Sequence, residues 1–164
     1  MPGRFGKGKE MLLLPMDFHE YKTMRKAAKW QEIPLLECLR HYYRCGGFPS
    51  AVIESDSAAT IPIQAMDTYR RWLVSDAVKL GRQELYLREI LAQVAITNGT
   101  PISLQKLAQR TQIGSHHTAL EYIALLEDCF ALRTCYAIDP NTGAYRFRKE
   151  KNLFFRSPYL SHCS

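Results

Sequence analysis

The chain lacks close cysteine pairs, long apolar runs and low-complexity tracts. Each absence narrows the possibilities. Five cysteines stand at 38, 45, 129, 135 and 163, an odd number with no C-x-x-C pair. A zinc site needs such pairs, so free and mostly buried thiols in a reducing cytoplasm are expected. No stretch approaches the ~18 apolar residues of a membrane span. The run Met11-Leu12-Leu13-Leu14 is stopped by Pro15 and is too short for a secretory signal core, so a cytoplasmic protein that does not engage membranes is expected. Apolar residues make up 46% of the 164 and charged residues 23%, which excludes collagen-like and disordered chains. A chain of this length hides roughly two-thirds of its unfolded surface and folds without staples.

Acidic residues are scarce in one place. The net charge is +6, with 22 basic and 16 acidic residues. Residues 130–164 hold six basic and two acidic residues, whereas 61–129 hold seven of each. A local basic excess of this kind attracts phosphate over about a Debye length.

The order of elements follows from caps and periodicity. Asp17 and Glu20 form a capping box that opens a helix to about Lys29, with Lys22, Arg25, Lys26 and Lys29 on one basic side. Pro34 suits the first position of a second helix, with Leu35, Leu36, Leu39, Tyr42 and Tyr43 as its apolar stripe. Gly46-Gly47 ends it, Phe48-Pro49 turns the chain, and 54–60 reads as a loop. A long helix spans about Pro62 to Leu80, lined by Ile63, Met66, Leu73, Ala77 and Leu80 and closed by Gly81. A helix from Leu85 to Thr97 follows, marked by Leu85, Leu87, Ile90, Leu91 and Val94. Ser103 caps a short helix to Arg110, with Leu107 and Ala108 inward. Ser115 caps a third from His116 to Asp128, with Leu120, Ile123 and Ala124 inward. Short helix, glycine-containing turn and second helix make a helix-turn-helix. Then Phe130–Ile138 alternates as a strand, 139–143 is a turn, and a second strand is expected near Asn152–Phe155. The fold class expected is mainly α with a small β-hairpin: a helical segment at 17–82, then a winged helix-turn-helix at 83–164.

Two chemical constellations fail on inspection. Gly3 to Lys9 matches G-x-x-x-x-G-K, but Glu10 stands where Ser or Thr should hold magnesium, and Pro15 prevents a long helix after it. His116 and His117 are adjacent on a helix and point about 100° apart, which makes them poor joint ligands. There is no H-x-x-x-H and no G-x-S-x-G, and His162-Cys163 lies at the tail. No catalytic residue and no metal ligand is assigned. The candidate nucleic-acid contacts are Arg146, Arg148, Lys149 and Lys151 in the wing, with Tyr145 and Phe147 interleaved, and His116, His117 and Thr118 at the start of the third helix. Arg110 and Arg133 have no basic residue between them, which argues against base-specific reading by that helix.

Several motifs together resemble bacterial AAA-type ATPases that carry a C-terminal domain of unknown function. They are Gly3-Arg4, then Leu14-Pro15-Met16-Asp17-Phe18-x-Glu20; Tyr42-x-x-x-Gly46-Gly47-Phe48-Pro49; and Tyr69, Leu73, Asp76 and Gly81. The block Ile102, Ser103, Leu107, Ala108, Thr118, Tyr122, Ile123, Leu126, Glu127, Asp128 and Phe130 continues the likeness, as does Lys151-x-Leu153-Phe154-Phe155-Arg156-Ser157-Pro158, where Ser157 replaces the usual Asp. The resemblance implies that 1–16 is the residual end of an ATPase domain, that 17–82 is a linker or lid-like helical domain, that 83–164 is the winged helix with the start of a truncated C-terminal domain, and that the chain is the section after the ATPase core. ATP and magnesium are then cofactors of a complete family member, and none is expected for this section. Arg4 would approach a nucleotide only in the complete protein. The function expected is a winged-helix module that contacts DNA through its basic wing and does not hydrolyse ATP by itself. The alternative is a structural or protein-interaction module, or a stand-alone winged-helix regulator, that holds proteins or self-associates without binding DNA.

Overall fold

The computed structural model describes residues 14–55, 62–157 and 160. The near phosphate-loop at 3–10, Arg4 and the His162-Cys163 pair lie outside the described residues. Seven helices are present among the described residues: α1 Phe18–Ala27, α2 Leu35–Cys45, α3 Pro49–Ser55, α4 Ile63–Lys79, α5 Glu84–Thr97, α6 Leu104–Gln109 and α7 His116–Asp128. The strands β1 Leu132–Tyr136 and β2 Lys151–Phe155 pair antiparallel, from Leu132 opposite Phe155 to Tyr136 opposite Lys151. The protein is thus mainly helical with a small antiparallel sheet, and its last three helices and hairpin follow an order consistent with a winged helix. No helix among the described residues is long and apolar enough to cross a membrane.

Local caps set the helix starts. The Asp17 carboxylate accepts from the Glu20 amide at 2.8 Å, and Glu20 reaches back to the Asp17 amide at 2.9 Å. Ser103 and Ser115 accept from the amides of Lys106 and Thr118, each at 3.1 Å. The helix ends share one device. At the C-termini of α1, α4 and α7, paired 6→1 and 5→2 hydrogen bonds close the last carbonyls around a left-handed residue. That residue is Gly81 in α4, but Lys29 in α1 (φ 54°) and Phe130 in α7 (φ 56°).

The helices pack in chain order from α1 to α5, and α7 then bridges α5, α6 and β1. One contiguous core runs from Tyr21 through Val52, Leu73, Leu87, Ile90 and Val94 to Leu126, Leu132, Leu153 and Leu160. Several faces differ from the expected stripes. In α2 the buried positions are Cys38, His41 and Cys45, while Leu35, Leu36 and Tyr43 are exposed. The buried polar face is affordable because His41 is hydrogen-bonded on both ring nitrogens, to Tyr21 Oη at 2.5 Å and Ser55 Oγ at 3.1 Å. Ile63 in α4, Leu80 just after it, Leu85 in α5, and Leu120 and Ala124 in α7 are also exposed; α7 instead buries Ala119, Tyr122, Ile123, Leu125 and Leu126. Phe48-Pro49 does more than turn the chain, since Pro49 opens α3 and residues 54 and 55 belong to that helix. Cys38, Cys45 and Cys129 are buried free thiols, and Cys135 is exposed.

The glycine pair after α2 has a structural cause. Gly46 takes φ 62° at the helix end. Gly47 lies against the backbone of Met16: a Cβ there would sit 2.1 Å from the Met16 carbonyl oxygen. The Met16 amide donates to Gly47 O at 2.8 Å, and Tyr42 Oη donates to Met16 O at 2.9 Å. Two predictions follow from these backbone positions. Gly47→Ala should lower unfolding free energy by roughly 3 kcal/mol in a urea titration, because backbone rather than a flexible side chain must yield. Lys29→Gly should raise it by about 0.5–1 kcal/mol, since glycine carries no Cβ penalty in the left-handed region.

Candidate nucleic-acid interface

The hairpin is built on a single extra pairing. The Ile102 amide donates to Lys151 O at 3.0 Å, and the Lys151 amide donates to Ile102 O at 3.1 Å. Ile102, buried between α5 and α6, therefore flanks β2 on the side away from β1. This contact brings the start of α6 beside the far end of the hairpin. Beyond β1 the chain makes a bridge between Ile138 and Tyr145, closed by a turn in which Gly143 has φ 70°. Phe147 packs edge-on to Tyr136 at 5.0 Å and lies 6.0 Å from Tyr145, so the interleaved aromatics brace the hairpin.

A groove of about 430 Å³ results, lined by Ser103, Gln105, His116, Phe147, Arg148 and Lys149, with Leu104 and Lys151 also on its wall. Arg148 and Lys149 are exposed and form no ion pair among the described residues. His116 is exposed at the first position of α7. A phosphate placed here meets two exposed cations, an imidazole and the side chains of Ser103 and Gln105. Lys106 and Glu150, paired at 3.3 Å, tie α6 to the hairpin.

The remaining expected contacts are engaged elsewhere. Arg146 is held by the Asp139 carboxylate at 2.6 Å from Nη2 and 3.1 Å from Nε, which neutralises it and holds the Asp139 carboxyl below the usual carboxylate range. The Thr118 amide donates to Ser115 Oγ, and its hydroxyl lies 3.1 Å from the same atom, so it serves the helix cap. His117 is exposed, its ring 5.6 Å from that of His116, but it does not line the groove. Lys151 is the clearest departure from the expectation. It is only 5% exposed, its ammonium donates to Phe147 O at 3.2 Å and lies 5.5 Å over the Tyr136 ring, and burial holds its pKa below the usual lysine value. Ser103 and Gln105 were not identifiable as site residues from local sequence; the one signal was Ile102, a β-branched residue isolated between Pro101 and the Ser103 cap.

Since the Lys151 ammonium is turned into the hairpin, Lys151→Met should leave duplex-DNA affinity within about twofold of the parent while preserving the melting temperature. A loss on the order of tenfold or more in fluorescence anisotropy, with the fold intact, would place that lysine at the interface instead.

No curated protein and no solved structure matches the chain. A family described as Domain of unknown function (DUF8612) matches residues 36–163, which takes in α2 through β2 and hence the whole groove. The chain belongs to this DUF8612 family.

Proposed function

We propose that this protein is a nucleic-acid-binding module whose C-terminal half is a winged helix, contacting the phosphate backbone of duplex DNA through the wing. The observation that carries the reading is the shared groove: wing cations Arg148 and Lys149 face the first residue of α7 and the start of α6. Backbone contact rather than base reading is favoured because α7 carries Glu121, Glu127 and Asp128 and no Lys or Arg. Two of its acids are committed internally: Glu121 pairs with Arg82 at 2.7 Å, and Glu127 accepts from the Thr134 amide at 2.8 Å. The likeness of the motifs to AAA-type ATPases supports a further part of the proposal, that the module works beside an ATPase core and has no ATP hydrolysis of its own.

A protein-interaction role is the second reading. It is favoured by a mostly apolar groove of about 440 Å³ between α4 and α5, walled by Met66, Leu73, Val74, Leu87 and Leu91 and edged by Asp67, Arg70 and Arg88. Such a surface is suited to another protein's apolar side chains.

Anisotropy of a labelled mixed-sequence duplex, measured over a range of salt, separates the two. Wing contact predicts affinity that falls steeply with salt, and a slope of log affinity against log salt reduced by about two in Arg148→Ala/Lys149→Ala, alike for unrelated sequences. No binding at low salt, or loss confined to one sequence, would overturn the wing reading.

A further inference from the structure

α1 and the turn after it form a second basic concavity, away from the wing residues. Lys22, Arg25, Lys26, Lys29, Trp30 and Glu32 line a groove of about 400 Å³. Lys22, Arg25 and Lys26 stand at i, i+3 and i+4 on one face of α1, and Lys29 follows in the turn after it. The three lysines are exposed, and Glu32 is the sole acid on the wall. None of the four cations forms an ion pair among the described residues.

Arg25 is the informative member, because it is 8% exposed and still lacks a carboxylate. Its guanidinium donates to Tyr21 Oη at 3.2 Å and to Gln31 O at 3.1 Å. It lies between two aromatic faces, 5.0 Å from the Trp30 ring and 5.8 Å from the Tyr21 ring. These contacts orient the group but bring no negative charge, and a buried cation without an anion is costly. Three of its five N–H donors remain for a ligand. The neighbouring polar groups do not supply a counter-charge: burial pushes the Tyr21 hydroxyl up to about 12 and the Cys45 thiol up to about 11, so both stay neutral.

Lys29 takes the left-handed position at the end of α1, as Phe130 does at the end of α7, and its side chain lines the groove. The helix end does not repel an anion through bare carbonyls, since those of Met24, Arg25 and Lys26 accept from the amides of Ala28, Trp30 and Lys29.

We infer that this groove binds a phosphate-bearing ligand, with Arg25 on its floor holding one phosphate and Lys22, Lys26 and Lys29 gripping those adjacent to it. The chemistry needed is two or more neighbouring phosphates, which either a phosphoanhydride chain or a nucleic-acid strand supplies.

The test uses the full chain carrying Trp72→Phe, which leaves Trp30 as the single tryptophan reporter. Arg148→Ala/Lys149→Ala is added so that failure of the wing reading cannot be mistaken for failure here. Tripolyphosphate and a short oligothymidylate are titrated separately against Trp30 fluorescence, with chloride of equal ionic strength as the control. Saturation by tripolyphosphate alone assigns a phosphoanhydride, and saturation by the oligonucleotide, with or without tripolyphosphate, assigns a strand. In either case Lys22→Gln/Lys26→Gln/Lys29→Gln, confined to exposed side chains, should weaken binding on the order of tenfold or more with an unchanged melting curve. Arg25→Gln should do the same where it folds, and Lys29→Gly should weaken binding while raising the melting temperature. No saturation by either probe, or titrations unchanged in the triple variant, overturns the inference.

Discussion

Much of the helical half depends on the approach of the Met16 backbone to Gly47. With no Cβ at 47, the extended chain before α1 lies directly across the turn that ends α2. Tyr42, one turn earlier, reaches the same Met16 carbonyl. Three constraints therefore converge on one peptide and determine how α1 sits on α2. That placement stacks Phe18, Tyr21 and Tyr42 with centroid distances of 5.4 to 6.2 Å and puts Tyr21 within reach of His41. Phe48, the next residue, carries the arrangement to α4 by packing on Tyr69 at 4.9 Å.

The motif residues that suggest a family relationship serve this architecture more than any chemistry. Tyr69 Oη donates to the Cys129 carbonyl at 3.0 Å and ties α4 to the end of α7. Tyr122 Oη accepts from the Gln83 amide at 2.6 Å and so completes the start of α5. Glu127 accepts from the Thr134 amide in the middle of β1. At each of these positions a side chain satisfies a part-buried backbone group. Of the charged residues proposed to contact ligand, Arg148 and Lys149 in the hairpin and Lys22, Lys26 and Lys29 belong to exposed surface outside that framework, whereas Arg25 is buried.

What could be read from sequence was local. Asp17, Ser103 and Ser115 act within three residues of themselves, and all three caps occur as expected. The helix and hairpin order followed from such signals. What could not be read was which side of a helix faces the core, because that depends on partners distant in the chain. Leu35 and Leu36 are apolar yet exposed, whereas His41 is polar and buried, because Tyr21 and Ser55 satisfy it from α1 and α3. In the candidate site, the cationic hairpin was visible as composition, but the separation of Arg148 and Lys149 from Arg146 and Lys151 was not. It required Asp139 to fold back on one and the hairpin to enclose the other.

The pairing of Ile102 with Lys151 has a mechanical consequence. β2 is clamped at its first residue from both sides, by β1 and by the turn between α5 and α6. The turn-side end of the two-stranded ladder and the entrance to α6 are thus one joint. A load on the hairpin tip is borne at that joint and delivered to the loop joining α5 to α6, with Ile102 as the hinge pin.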